Sequence, residues 1–342
     1  MQERSLSTRM LHFCKNKLYF ECRTHARSEE NEHIYNGGLR FAMWQREEKQ
    51  QDRRPTKPSI PVLDASRAHR LSMKWTKMLT EYSQRRLTNG GDKLVAINSI
   101  AQEMLKLLPD LYIHFAGMWK FDLLRQLLWR PGNLSVSMPK EYRAPSWSWA
   151  SVDGHTSWTS YENTPRENSL LASRFDDSFE VLDISEGSEP REGNFLKVQT
   201  SLRRIAAIEE CSYDDRWVHF NRNNWPYDLF VSTKTSIHSS KSTSTWTILP
   251  SQQTAPYKGH LVKCAEGQLD LDDKDRLTKS QRQLFYLHIT YKCRPSGLIL
   301  ECIDEAKGIY KRVGIATVFD QHGLYLESCF RKGDEIEEVI LV

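Results

Sequence analysis

The chain has 342 residues, of which 39% are hydrophobic and 27% are charged, and its formal net charge is +4 at pH 7. These values are typical of a soluble globular protein with room for one large or two smaller domains. The positive charge is small and evenly spread, so it predicts no nucleic-acid-binding stripe. No apolar run reaches the ~18 residues of a membrane span, and no apolar signal region follows Met1.

The seven cysteines are odd in number and scattered, and no two of them form a C-x-x-C pair. This pattern favours reduced thiols in a cytosolic or nuclear protein over a disulfide framework or a zinc site. We therefore predict a cytoplasmic location.

The first 63 residues divide into two parts by composition. Residues 1–25 form a short segment with strand character at Leu18-Tyr19-Phe20. Residues 26–63 are rich in charge, Gly and Pro, which predicts a linker or excursion.

A helical subdomain is predicted over residues 64–154. The first helix carries an apolar stripe and ends at Asn89-Gly90-Gly91, and Asp92 caps a second helix that runs until Pro109. A third helix is predicted from Phe115 to Trp129, before Pro131-Gly132.

The stretch from Arg143 to Gly154, here called the tryptophan motif, ends this subdomain. Pro145 holds the chain extended, and Ser-Trp-Ser-Trp alternates with period two, which predicts a strand with Trp147 and Trp149 on one buried face. Because the serines have no His, Cys or Lys beside them, the motif is predicted to be structural and not catalytic. Its key residues are Arg143, Pro145, Ser146, Trp147, Trp149, Asp153 and Gly154.

Residues 155–342 carry strand patterns separated by turn residues, which predicts a mainly antiparallel β-rich domain, either a sandwich or a partial barrel. The predicted strands are Phe179–Ile184, Phe195–Thr200, Arg204–Ile208, Gly259–Cys264, Leu284–Tyr291, Gly297–Cys302, Tyr310–Val318 and Glu337–Val342. A flexible loop rich in Ser, Thr and Lys is predicted over Ser232–Thr247. The expected fold class is α+β.

No motif predicts catalysis, a cofactor or a metal. The chain lacks phosphate-binding glycine loops, a G-x-S-x-G elbow and H-E-x-x-H. Asp270–Asp275 resembles a calcium loop but lacks the required Gly and Glu, so we interpret it as an acidic surface turn. The spacing of His12, His25 and His33 near Cys14 and Cys22 fits no closed zinc pattern. A Cys–His nucleophile pair formed by the fold stays open.

Several segments resemble the heterokaryon-incompatibility (HET) family of fungal proteins. The tryptophan motif, with Leu124–Trp129 before it, is similar to the block that follows the HET domain. Further similar segments are Gln2–Arg9, Leu11–Phe13, Leu18–Cys22, Tyr82–Thr88, Asp92–Leu94 and Tyr310–Gly314. The N-terminal HET segments are missing, so the resemblance implies a truncated protein whose residues 1–25 are the remnant of that domain.

The resemblance implies a role in self/non-self recognition, innate immunity and programmed cell death. The chain would then be a non-catalytic C-terminal scaffold, regulatory or interaction region with a protein partner. Two alternatives stay open: an NAD-hydrolase-type effector in full-length relatives, because the HET domain is thought to share the fold of Toll/interleukin-receptor domains, or a degenerate gene product.

Overall fold

A computed structural model shows an α+β protein with few helices and many mostly antiparallel strands. The structure describes residues 9–15, 18–22, 26–29, 65–85, 87–105, 108, 111–132, 136–158, 179–185, 191–205, 207–210, 227–232, 257–258, 261–271, 283–290, 296–318 and 336–342. The predicted loop after Ser232, most of the predicted linker and Asp272–Asp275 lie outside these ranges.

The N-terminal segment forms a small antiparallel sheet of three strands, β1 (Arg9–Phe13), β2 (Leu18–Cys22) and β3 (Ala26–Ser28). The last of these strands occupies the start of the predicted linker. Leu11, Phe13 and Phe20 are exposed on this sheet.

Two long helices follow, α1 (Ala65–Ser83) and α2 (Asp92–Leu105), close to their predicted positions. Their apolar stripes face the core, where Trp75 and Ile97 are fully buried.

The predicted third helix is wrong for most of its length. It is replaced by β4 (Tyr112–Ile113), β5 (Met118–Trp119), a 3-10 turn (Lys120–Asp122), the short helix α3 (Leu123–Leu127) and β6 (Trp129–Pro131). Gly117, with φ of 64°, forms the β4–β5 turn and so excludes a right-handed helix that starts at Phe115. β6 pairs with β7 (Thr156–Trp158), directly after the tryptophan motif.

The remaining strands form one large sheet. They are β8 (Glu180–Ile184), β9 (Leu196–Ile205), β10 (Ala207–Glu210), β11 (Tyr227–Ser232), β12 (Tyr257–Lys258), β13 (Leu261–Leu269), β14 (Leu284–Thr290), β15 (Ser296–Asp304), β16 (Ile309–Val318) and β17 (Ile336–Leu341). Its main path runs β10-β11-β13-β16-β15-β14-β9-β17, with β8 on β9 and β12 on β13.

The last strand closes part of this sheet into a ring. β17 pairs antiparallel with β9 along its length and also pairs in parallel with the first two residues of β16. Strands β16, β15, β14, β9 and β17 therefore form a hydrogen-bonded circle, which removes the open edge that β17 would otherwise present.

One hydrophobic core connects the helical and β-rich parts. It contains Trp75 and Leu79 of α1, Trp147 and Trp149 of the motif, and inward residues of the ring such as Leu298. No helix in the described part of the chain is both long and apolar enough to cross a membrane.

Candidate functional site

The tryptophan motif is a pair of tight turns, so the predicted strand is wrong. The main-chain N–H of Ser148 donates to the carbonyl of Pro145 at 2.9 Å, and a 3-10 turn follows over Trp149–Ser151. The Ser148 hydroxyl accepts from the N–H of Ala150, which starts that turn. This local side-chain bond competes with strand pairing. Gly154, with φ of 112°, then leads into β7.

The predicted burial of Trp147 and Trp149 is confirmed, since neither side chain has any exposed surface. The Trp149 indole donates to the carbonyl of Gly117 at 3.1 Å, and the Trp129 indole donates to the carbonyl of Trp147 at 3.0 Å. The Ser148 hydroxyl donates to the carbonyl of Ala116 at 2.7 Å. The motif is therefore joined to the β4–β5 turn and to β6 by buried hydrogen bonds.

Arg143 holds the motif in its turned conformation. Its guanidinium donates to the carbonyls of Ala150 and Val152 and contacts the Asp153 carboxylate at 2.7 Å. A further bond reaches the carbonyl of Gly90, just before α2. One buried side chain thus fixes the 3-10 turn and orients it against the second helix.

Lys93 lies beside Arg143 and is also buried. Its Nζ donates to the carbonyl of Val152 at 2.6 Å and lies 5.0 Å from the centroid of the Trp149 ring. Burial, and secondly the nearby Arg143 charge, lower the pKa of Lys93 to about 7. A neutral amine still donates the Val152 bond, so this contact survives deprotonation.

Ser146 connects the motif to the end of the ring. Its main-chain N–H donates to the carbonyl of Val342 at 3.1 Å, and its hydroxyl donates to the same oxygen. The Ser146 hydroxyl also accepts from the main-chain N–H of Arg312 at 2.9 Å. The motif therefore bonds directly to β16 and to the residue after β17.

We call the place where the tryptophan motif meets β16 and Val342 the junction. The side chain of Arg312 lies at its centre. It donates to Asp270 through two nitrogens, at 2.9 and 3.1 Å, and to the carbonyls of Leu127 and Trp129. The guanidinium carbon lies 3.6 Å from the centroid of the Trp129 ring. Burial raises the pKa of the Asp270 carboxyl, and the Arg312 charge opposes that rise.

Asp270 is therefore misassigned by its sequence pattern. It does not lie in an acidic surface turn, because only 5% of its surface is exposed and both carboxylate oxygens bond Arg312. The acidic sequence predicts solvent exposure, whereas its first residue, Asp270, is half of a buried ion pair with Arg312.

A cavity of about 320 Å³ lies beside this junction, and we call it the junction cavity. Its walls come from the tryptophan motif, the turn before β9, the end of β13, and strands β15 and β16. The lining residues are Met138, Tyr142, Ala144, Ser146, Ser151, Val152, Glu192, Gly193, Asn194, Leu269, Asp270, Leu271, Glu301, Lys311, Arg312, Val313 and Val342. Most of the surface that these residues present to the cavity is apolar, as in small-molecule sites.

About half of the residues that line the junction cavity are polar or charged. Tyr142 and Glu192 are exposed at its rim. Partial burial, and secondly the Glu192 carboxylate, raise the pKa of Tyr142 to about 12, so the phenol stays neutral at physiological pH. The positive charge of Arg312 and the negative charge of Asp270 neutralise each other.

The sequence pointed to part of this site. It singled out the tryptophan motif and two segments containing Lys93 and Arg312, and the structure brings these together. It missed Tyr142 and Glu192, which no motif in the sequence marks. Among the described residues, no cluster of three or more His, Cys, Asp and Glu side chains has an arrangement that could hold a metal ion.

Comparison with family models, with curated proteins and with solved structures finds no match to this chain.

Proposed function

We propose that this chain is the non-catalytic C-terminal region of a heterokaryon-incompatibility-type protein. In this role it is a scaffold, regulatory or interaction region in self/non-self recognition and programmed cell death, and it acts through a protein partner in the cytoplasm. The same proposal divides the chain into a HET-domain remnant (1–25), a linker (26–63), a helical subdomain (64–154) and a β-rich domain (155–342).

The observation that carries this proposal is the convergence of five of the segments that resemble the family, namely Tyr82–Thr88, Asp92–Leu94, Leu124–Trp129, the tryptophan motif and Tyr310–Gly314. The Tyr82 hydroxyl donates to the carbonyl of Lys93 at 2.9 Å, and its ring packs edge-on against Trp149. Arg312 bonds both the carbonyl of Trp129 and the hydroxyl of Ser146. These segments, which are distant in sequence, meet at one buried junction, and this supports the proposal of a shared fold.

A structural role for the motif follows from how its polar groups are used. The hydroxyls of Ser146, Ser148 and Ser151 each donate to a main-chain carbonyl. The Arg143 guanidinium donates to main-chain carbonyls and pairs with the Asp153 carboxylate. Among the described residues, no base is hydrogen-bonded to any of these serines and placed to activate it as a nucleophile. The motif therefore supports a scaffold, and this favours the non-catalytic hypothesis over the NAD-hydrolase alternative.

Cell death during strain fusion gives the direct test. The chain is induced in a filamentous fungus while two strains with different incompatibility genes are confronted, and dead fusion cells are counted with a vital dye. We expect the wild-type chain to change that count, and Trp149→Ala, which removes a fully buried indole of the tryptophan motif, to abolish the change. The exposed-site variant Ile303→Ala should behave as wild type. Equal counts with and without the chain would contradict the proposal.

Catalysis is tested separately with purified protein. The chain is incubated with NAD, and nicotinamide release is compared with a heat-treated sample. We expect no release above that control, because no glycine-rich loop is present to hold a diphosphate. Turnover that disappears in Glu192→Gln, at an unchanged melting temperature, would instead make the chain an enzyme.

A further inference from the structure

The mouth of the junction cavity combines an apolar rim with an excess of negative charge. We propose that it binds a basic segment of the protein partner, with one arginine side chain of that segment entering the cavity. The cavity volume of about 320 Å³ exceeds the roughly 150 Å³ that suffices for benzene in an engineered apolar cavity, so a long side chain fits. This inference rests on the proposed function, which requires a protein partner, and it names the chemistry of that partner.

The charged side chains of the lining carry one net negative charge. Three of them are carboxylates, Glu192, Asp270 and Glu301, and two are cations, Lys311 and Arg312. Asp270 is paired with Arg312, and Glu301 lies directly opposite Lys311 in the register of β15 and β16. The Glu192 carboxylate is then the charge that no cation of the lining balances. A cationic group at the mouth would complement it.

Glu192 is exposed at the mouth, close to the ring of Tyr142. Partial burial, and secondly the Glu192 carboxylate, raise the pKa of Tyr142 to about 12, so the two side chains are within electrostatic reach of each other. An arginine suits this pair better than a lysine, because its planar guanidinium stacks on an aromatic ring and bonds a carboxylate through two nitrogens. The same combination occurs inside the protein, where Arg312 lies on the Trp129 ring and bonds both oxygens of Asp270.

The wall behind the mouth accepts the hydrocarbon part of the arginine. Ala144, Val152 and Leu269 line the cavity, and all three are buried in the core of the protein. The methylene groups of an arginine lie favourably along such apolar surface while the charged head stays close to water. The exposed Glu192 provides that position for the head.

The rim of the cavity favours a protein segment over a free small cation. Met138 and Tyr142 are large apolar side chains at the mouth, and they are 49% and 43% exposed. Methionine and tyrosine are enriched in protein interfaces relative to the rest of the surface. A segment that passes over the mouth covers both side chains while its arginine occupies the cavity, which is the usual arrangement of an anchor residue surrounded by weaker contacts.

Two peptides that differ in one charge test the proposal on the wild-type chain. They are the acetylated and amidated peptides Leu-Gly-Arg-Gly-Leu and Leu-Gly-citrulline-Gly-Leu, since citrulline is a neutral residue of nearly the same shape as arginine. Binding is followed by NMR titration. At low salt we expect the arginine peptide to bind about threefold more tightly, which is the effect of one exposed ion pair. The difference should shrink at about 0.5 M salt.

Equal affinities at low salt would overturn the selection of a cation. No saturable binding of either peptide at millimolar concentration would overturn the docking site.

Variants with matched controls locate the bound peptide. Glu192→Gln should remove the preference for arginine, whereas Glu305→Gln, which removes an exposed carboxylate outside the cavity lining, should keep it. Tyr142→Ala should weaken the binding of both peptides, whereas the exposed Ile303→Ala should weaken neither. A preference for arginine that persists in Glu192→Gln, at an unchanged melting temperature, would overturn the role of this carboxylate.

Other occupants give different results. If n-butylguanidinium binds as tightly as the arginine peptide, the partner segment is overturned in favour of a small cation. If light scattering shows a dimer that Glu192→Gln dissociates, it is overturned in favour of a second copy of this chain. All of these measurements use purified protein, so their failure is distinguishable from a failure of the proposed function, which is measured by the count of dead fusion cells.

Discussion

Replacing Arg312 tests how the helical and β-rich parts are joined. Arg312→Met leaves the Asp270 carboxylate buried without its partner, which costs about 3–5 kcal/mol in comparable buried pairs. The carbonyls of Leu127 and Trp129 also lose their donors, at roughly 1–3 kcal/mol each. Since a domain has only about 5–15 kcal/mol of stability, we expect this variant to unfold at a much lower urea concentration than the wild type.

Arg312→Lys separates the charge from the geometry. Lysine keeps the positive charge beside Asp270, but its single ammonium cannot reach both carboxylate oxygens and both carbonyls as the guanidinium does. We therefore expect Arg312→Lys to fold with reduced stability. Its free energy of unfolding should exceed that of Arg312→Met by about 3–5 kcal/mol, which is the cost of leaving the carboxylate unpaired. Adding Asp270→Asn to Arg312→Met should recover part of that difference.

Urea unfolding followed by tryptophan fluorescence measures these changes, because five tryptophans of the core are fully buried. Lys307→Met is the matched control, since it removes one partner of an exposed Lys–Asp pair in the β15–β16 turn. It should unfold at the wild-type urea concentration. If the Lys and Met variants of Arg312 are equally stable, the buried carboxylate does not depend on its partner and the reasoning fails.

Two further predictions concern residues beside Arg143. Trp149→Ala removes a fully buried indole and its bond to Gly117, so it should cost about 3–5 kcal/mol of stability and lower the melting temperature sharply. Ile303→Ala, at an exposed position, should leave the melting temperature unchanged. An unchanged melting temperature for Trp149→Ala would mean that the indole is not part of the core. Lys93 has its pKa lowered to about 7 in the folded chain, against 10.5 ordinarily. Between these values the unfolded chain holds a proton that the folded chain has released, so stability should rise with pH by up to about 1.4 kcal/mol per unit. Urea titrations at pH 7 and 9 should show this rise in wild type and in the exposed variant Lys77→Met, and its loss in Lys93→Met; a rise that persists in Lys93→Met would assign it to another group.

Most strands of the β-rich part were predictable because their signal is local, but β11 and β12 were not predicted, and β9 is one strand where two were predicted. Leu284–Thr290 and Ile309–Val318 combine β-branched and aromatic residues between turn residues, and both occur within a residue or two of the predicted positions. The closure of the ring by β17 was not predictable, because it depends on a two-residue parallel pairing that leaves no pattern in the sequence.

The errors in the predicted secondary structure arose where one residue prevents the helix or strand that the hydrophobic periodicity favours. Apolar spacing over Phe115–Trp129 favours a helix, but Gly117 takes a positive φ, and a Cβ there would lie 2.9 Å from Cδ2 of Leu94. In the tryptophan motif, the alternation of Ser and Trp favours a strand. The Ser148 hydroxyl instead accepts a hydrogen bond from the main-chain N–H of Ala150, and this bond forms a turn. Tyr142 and Glu192 could not be found from sequence, because the junction cavity that they line exists only in the folded structure.

The bond between Ser146 and Val342 joins residues 196 positions apart, which has a consequence for synthesis. At about 5–20 residues per second, a ribosome needs roughly 10–40 seconds to pass from one to the other. During that interval the motif is already made while its hydrogen-bond partners Arg312 and Val342 are not. The face of the Trp129 ring that Arg312 covers in the folded protein is therefore uncovered in the nascent chain for tens of seconds.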